Sequence, residues 1–561
     1  MAKLDFFLFG DKRKTHPLDD VKSVTEWYGT TLREFASGSH DQITGLLLQF
    51  NQEIENPTVA MLEALVELDR LGHATHQQLC AQYLGSKLLP AMERQQRAQI
   101  RSYGRQMVDA FQRFMTFDAD GEDAPQMRRL LPLVIGKMLF YLTENALWHY
   151  YRHASLDEVM WSNVNQLFRY AEENAIDAVP LQLFPGEAPT TIHDLYLALL
   201  MTSSLNSGNL TARQTHLAYQ LVLMLSNRMT LSRDLSGESS FIINIQHAAP
   251  PSRAHNVPQL QGVRVWSTAE LVDQLNAWLV VYDSGATPQA LRERFSQGVD
   301  PALLRFLVRE WAVKPFRFER AERVPVVSKQ LEVGRLLSGV HRLVREHEES
   351  LVQDNRREGP AVSAGDVTEI RIYGFLTGRR RERNVLQNDV IKIATSADLQ
   401  LWDIENQSES GLGVSLPAAG ADWLSLGTLL ATREAGQQAW SLSIVRRIKR
   451  EEKGRMYLGL QLLSSRPVAA YTKSEDGRNA AATLPAGMVW NQGEIALFAS
   501  VTKRGEDQYP ADSVIQLCAR QEAANVCQEQ GVSGGAGAGA GKGCRLVSGG
   551  DRASRTAVIC N

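Results

Sequence analysis

A chain of 561 residues is too long for one hydrophobic core, so several domains are expected. Its 44% hydrophobic and 22% charged residues are ordinary for a globular protein. A formal net charge of −3 excludes a global field that would gather nucleic acid or an anionic membrane, so any anion site has to be a local patch.

The N-terminal stretch MAKLDFFLFGDKRKTH holds only a short apolar patch between charges, too short for a signal segment. Residues 1–240 carry helical periodicity throughout. In NPTVAMLEALVELDRLG, Asn56 suits a cap and Pro57 a first helical turn. Val59, Leu62, Leu65, Val66 and Leu68 mark one apolar face, and Gly72 suits the end. Similar patterns recur at 86–116, 126–151, 157–175, 191–204 and 211–234, without a fixed repeat period. The run LLPLVIG is cut by Lys137, far short of the ~20 residues a membrane helix needs. No membrane insertion is therefore expected. Five cysteines in so long a chain, Cys80 alone and Cys518, Cys527, Cys544 and Cys560 near the end, fit a reducing cytoplasm.

The middle region, 241–360, opens with two β-branched runs around a Pro-rich loop, FIINIQHAAPPSRAHNVPQLQGVRVW, which reads as a strand pair or a domain joint. Helical patterns resume at 267–281, 287–297 and 301–311. VVSKQLEVGRLLSGVHRLVREHEESLVQDNRREGP reads as one long helix stopped by Gly359 and Pro360, a domain boundary. From about 366 the period becomes that of strands: EIRIYGFLT, DVIKIAT, LQLWDIE, GLGVSLP, LGTLLATRE, AWSLSIVRRIKR and RMYLGLQLLS. Short strands so spaced predict a small β-barrel or sandwich over 366–470. MVWNQGEIALFASVTK adds a hairpin within 471–516, and 517–561, with GVSGGAGAGAGKG, reads as a low-complexity tail without regular structure. The fold class is α+β multidomain: a large, mostly α-helical N-terminal region, then a small antiparallel β-barrel.

Two stretches of the β region carry polar chemistry. RRRER, 379–383, is four arginines and one glutamate in a near-neutral chain. NQSESG, 406–411, follows the strand LQLWDIE. In this order they resemble the PilZ domain, the bacterial receptor module for cyclic di-GMP, whose pattern is RxxxR followed by [D/N]xSxxG. Arg379 and Arg383 fit the first part; Asn406, Ser408 and Gly411 fit the second. AWSLSIVRRI and YLGLQLL resemble later strands of that family. The resemblance spans about residues 366–470 and implies an antiparallel barrel with those five residues as the ligand set. No catalytic constellation is visible in the sequence, so a receptor or adaptor rather than an enzyme is expected, with no cofactor and no metal.

The chemistry is consistent with it. A guanidinium is a planar fork that pairs bidentately with phosphate or with the O6 and N7 edge of guanine. Asn406 and Ser408 are short polar groups at a strand end. Gly411, lacking a Cβ, allows close approach. Arg380 and Arg381 offer alternative registers of the clamp. Arg446 and Arg447, on an alternating strand, are predicted to face opposite ways, so that one of them, Arg446 being a candidate, adds to the cationic patch. EIRIYGFLT is itself strand-like and would place the arginines after a first strand. RRRER also reads as a solvated charged loop, and NQSESG as a simple turn.

The function expected from the resemblance is a cyclic di-GMP receptor or effector that relays nucleotide binding to a protein partner. In it the arginine segment orders over the ligand and the long helix carries the signal. The alternative is a degenerate PilZ scaffold that binds proteins and no nucleotide. Other signals point less far. HATHQQLC places His73, His76 and Cys80 at helical spacing, able to hold a metal together, but no fourth ligand is close in sequence. They read as surface histidines and a core cysteine. The late cysteines lack a C-x2-C pair, and GAGAGAGKG departs from a phosphate loop because Ala536 and Gly543 stand at required positions.

Overall fold

A computed structural model describes residues 16–34, 39–54, 57–85, 88–116, 123–234, 239–255, 261–314, 323–335, 339–347, 399–451, 454–465, 467–475, 478–482, 494–500, 514–518 and 557–560. The chain divides into two compact units, 1–318 and 319–561.

The first unit is helical. It holds α1 (Val21–Glu34), α2 (Ser39–Glu53), α3 (Val59–Gly85), α4 (Pro90–Gln112), α5 (Ala124–Tyr150), α6 (Glu158–Glu173), α7 (Ile192–Ser203) and α8 (Ala212–Leu225). Local chemistry sets several starts. Asp157 caps α6 through the Met160 amide, and Thr211 and Gln214 form a reciprocal capping box on α8. The expected apolar face of α3 is buried at Val59, Leu62, Leu65 and Leu68. Gly72 does not end that helix. A Cβ there would sit 3.0 Å from both Ile43 Cδ1 and the Tyr103 hydroxyl, so the glycine lets α2 and α4 approach α3 closely.

Three strands, β1 (Phe241–Asn244), β2 (Ser252–Arg253) and β3 (Val263–Trp266), form one sheet in the order β2-β1-β3. This is the strand pairing expected around the Pro-rich loop. Helices α9 (Ala269–Asp283), α10 (Gln289–Arg294) and α11 (Pro301–Trp311) follow and share one core with α1–α8.

By length and composition α5 could cross a membrane, but it is mostly buried inside this unit. Lys137, which interrupts its apolar run, is wholly buried and paired with Asp69 of α3 at 2.5 Å. His216 of α8 lies 2.8 Å from the Tyr151 hydroxyl, and burial pushes its pKa from 6.5 down to about 4. The unfolded chain therefore takes up a proton near pH 6.5 that the folded chain refuses until about pH 4. The associated stability is intact above pH 6.5 and is lost as pH falls toward 4, by roughly 2 kcal/mol after allowance for partial exposure. Urea midpoints measured across that range should fall less steeply for His216→Gln. Parallel curves for the two proteins would remove His216 from the acid response.

The second unit contains a closed antiparallel barrel. Its strands are β4 (Val324–Pro325), β5 (Gln330–Gly334), β6 (Leu399–Ser408), β7 (Gly411–Pro417), β8 (Leu429–Glu434), β9 (Ser441–Arg450) and β10 (Arg455–Ser464). Neighbours run β6-β5-β8-β9-β10-β7, and β7 pairs back with β6, which closes six strands; β4 adds to the end of β6. Leu331, Val333, Trp402, Ile404, Val414, Leu416, Val445, Ile448, Leu458 and Leu460 fill the interior.

The stretch read as one long helix is divided. Gln330–Gly334 is a barrel strand paired with β6 and β8, and residues 339–347 are helical, laying Val340, Leu343 and Val344 against Leu429, Trp440 and Leu442. The unit boundary accordingly lies near 318 rather than at Gly359 and Pro360. EIRIYGFLT, DVIKIAT and that helix stop lie outside the described residues. Beyond the barrel, β11 (Val468–Glu475), β12 (Arg478–Ala482), β13 (Glu494–Ser500), β14 (Val514–Cys518) and β15 (Ala557–Cys560) form a second sheet, in the order β12-β11-β13-β14-β15. The region read as a hairpin is thus part of a sheet. Its last strand lies in the stretch read as a structureless tail.

Candidate functional site

NQSESG is a β-hairpin. Asn406 and Ser408 end β6, Glu409 and Ser410 make the turn, and Gly411 begins β7. The Ser408 hydroxyl donates to the Gly411 carbonyl at 3.2 Å, and the Leu462 amide donates to the Ser410 carbonyl at 3.0 Å.

A β-bulge decides which way the motif faces. Trp402 and Ile404 point into the barrel, so strict alternation would carry Asn406 inward as well. Instead Ile404 pairs with Val414 and Asn406 pairs with Gly413, leaving Glu405 as the extra residue. From the bulge onward Asn406 and Ser408 fall on the outer face, opposite Gly413 and Gly411. The Asn406 side chain lies over Gly413, where a Cβ would come within 2.6 Å of its Oδ1.

A second bulge acts on β9. Val445 pairs with Leu460 and Arg447 with Gly459, so Arg446 is the extra residue. Val445 and Ile448 both point inward, and Arg446 and Arg447 are both exposed. The expectation that these two arginines face opposite ways therefore fails, because the bulge interrupts the alternation. Arg446 donates from Nε to Gln461 Oε1 at 2.8 Å, and Gln461 stands opposite Gly411 in the register of β10 and β7. Ser408, Gly411, Gln461 and Arg446 thus form one row across four strands on the outside of the barrel.

Gly411 has ordinary strand backbone, so its role is steric. A Cβ on it would lie 2.4 Å from the Leu460 carbonyl oxygen. Close approach by the barrel's own backbone is what this glycine permits.

One further guanidinium joins the row. Arg323, just ahead of β4, donates from Nη1 to Asn406 Oδ1 at 3.4 Å. Sequence reasoning missed it, since a lone arginine in AERVP carries no local mark. The row therefore brings together two amides, a hydroxyl and two arginine forks, groups suited to a phosphate or a purine edge. Arg379, Arg380, Arg381 and Arg383 lie outside the described residues.

A closed six-strand antiparallel barrel bearing Asn-x-Ser-x-x-Gly on a hairpin is a PilZ domain. The family models agree: one described as the middle PilZ domain of the cyclic-di-GMP receptor FimW matches residues 377–468, and one described as that receptor's N-terminal domain matches residues 22–235. Together they span more than half of the chain, which belongs to this family of cyclic-di-GMP receptors and takes a binding role. The span 377–468 holds Arg379 through Arg446 of the candidate set. No curated protein and no solved structure gave a match.

Proposed function

We propose that cyclic di-GMP lies along the outer row of the barrel, with Arg379 and Arg383 closing over it, and that a protein partner reads this event in the cytoplasm. The observation that carries the reading is the pair of bulges at Glu405 and Arg446, which turn Asn406, Ser408 and Arg446 outward onto one barrel face. A bulge costs ladder bonds, and such irregularities gather where a side chain must be re-aimed. The row supplies polar contacts and cations but no dense anion clamp of its own. The cluster at 379–383 supplies that, and only fifteen residues of chain separate Arg383 from Leu399, the start of β6.

The relay follows from ordering. A segment that closes on the nucleotide changes the surface of the barrel, and a partner that binds the ordered form better shifts the population toward it. The helix at 339–347, packed on β8 and β9, connects directly in sequence to the segment that holds the arginines.

Calorimetric titration of the full chain with cyclic di-GMP tests the reading. The native protein should bind. Arg383→Ala should lose about 10- to 100-fold in affinity, since a hydrogen bond to a charged group is worth about 1.5–3 kcal/mol. Ser408→Ala should lose about 5-fold. Absence of heat with the native protein would leave the scaffold that binds no nucleotide.

A further inference from the structure

The helical unit contains a second constellation, independent of the nucleotide site. His76 and Cys80 stand one turn apart on α3 and face Glu144 of α5. The donor atoms converge: His76 Nε2 lies 2.8 and 2.9 Å from the two Glu144 oxygens, and Cys80 Sγ lies 3.6 Å from Glu144 Oε1 and 3.8 Å from His76 Nε2. Tetrahedral zinc with bonds of about 2.0–2.3 Å holds its donors roughly 3.3–3.7 Å apart, so small side-chain shifts suffice to seat an ion.

A nucleophile triad is excluded by geometry. There the thiol and the carboxylate engage opposite ring nitrogens. Here both face His76 Nε2, and His76 Nδ1 is taken by His40 Nε2 at 3.0 Å.

That last contact is what a metal-binding histidine requires. A partner on the remote nitrogen fixes the tautomer and the ring orientation. His40 of α2 is buried, lies parallel to His76 at an interplanar angle of 4°, and both rings stack on Tyr103. The sequence spacing grouped His73 with His76 and Cys80 and read the histidines as surface residues. Both are buried, and His73 turns away, stacking on Phe184 and pairing with Glu187 at 3.0 Å.

We propose that His76, Cys80 and Glu144 bind one zinc ion, oriented by His40, with a solvent molecule completing the tetrahedron at the partly exposed Glu144 side. Nitrogen, thiolate and carboxylate donors together suit zinc among the common divalent ions. On binding, the Cys80 S–H proton leaves to solvent, the His76 ring proton moves from Nε2, where it faces Glu144, to Nδ1, where it donates to His40 Nε2 with His40 protonated on Nδ1, and the thiolate, the freed Nε2 and the carboxylate take the ion. The ion ties α3 to α5, and through His40 to α2.

The test uses cobalt(II) and zinc(II) on the full-length, metal-stripped, reduced chain. One equivalent of cobalt(II) should give a near-ultraviolet thiolate charge-transfer band, displaced by zinc(II). Cys80→Ser should lose the band. A variant with Cys518, Cys527, Cys544 and Cys560 all changed to serine should keep it. His40→Gln should retain the band with affinity about 10- to 100-fold weaker. The proposal is overturned if native protein shows no thiolate band, or if the band survives Cys80→Ser and disappears with the four late cysteines.

Discussion

Asp69→Ala is expected to cost the helical unit about 3–5 kcal/mol, the scale set by leaving a buried charge without its partner. Asp69 and Lys137 are both wholly buried, with Nζ 2.5 Å from Oδ2, and the Tyr141 hydroxyl donates to the other carboxylate oxygen. Lys137 Nζ also sits 3.4 Å from the centroid of the Phe184 ring. Burial pulls the Lys137 pKa down, and Asp69 opposes that pull. Removing the carboxylate takes away the main opposition to burial and leaves Glu187, so the lysine must lose its proton or draw water into α3 and α5. The companion variant separates the charge from the packing. Asp69→Leu with Lys137→Met removes both charges at similar volume, and replacing a buried pair in this way is often neutral. Urea denaturation followed by circular dichroism should show the single variant far less stable and the double variant close to native. A loss under 1 kcal/mol for Asp69→Ala would mean that water already reaches the pair.

The same pair shows what a sequence yields and what it withholds. Periodicity located most helices of the first unit and every strand from β6 to β10, because each of those elements buries at least one face, β8 and β9 burying both. It failed where the deciding contact is remote. Lys137 reads as a break in an apolar run, yet its partner is 68 residues earlier. His40 lies 36 residues before the histidine it orients. Gln330–Gly334 gives only five residues of alternation before a helical stretch begins, and its partners β6 and β8 lie far along the chain. A helical period laid over both absorbs the strand. The bulges are the clearest case. LQLWDIENQS and SLSIVRRIKR alternate well enough to be called strands, but nothing local announces the extra residue. Which way Asn406, Ser408 and Arg446 face was therefore settled by pairing with β7 and β10, not by their own spacing. The motif itself was legible because its residues serve both purposes at once, as hairpin chemistry and as polar groups on a rim.

Gly411→Val is expected to cost about 3 kcal/mol and to abolish measurable nucleotide binding, the upper end of what overpacking inflicts. In a ligand-centred reading the motif glycine makes room for the nucleotide, and a small side chain would block the ligand while sparing the fold. The geometry gives a different account. The obstacle to a Cβ is the Leu460 carbonyl, 2.4 Å away, and backbone cannot rotate aside as a side chain can. Relief requires β7 and β10 to part at the Gly411–Gln461 pair, one of the contacts that close the barrel. The Ser408–Gly411 pair and the Gln461 side chain that receives Arg446 move with it. Gly411→Ala should therefore already destabilise the barrel by about 1–3 kcal/mol in the absence of ligand. Ser408→Ala should weaken binding while leaving the melting curve nearly unchanged. Paired thermal melts and calorimetric titrations of the three variants decide the matter. If Gly411→Ala melts like the native protein and fails only to bind, the glycine answers to the ligand and the strands are not as close as described. If it melts early and binds weakly, the motif's third residue is conditioned by barrel closure, and the nucleotide face depends on that closure.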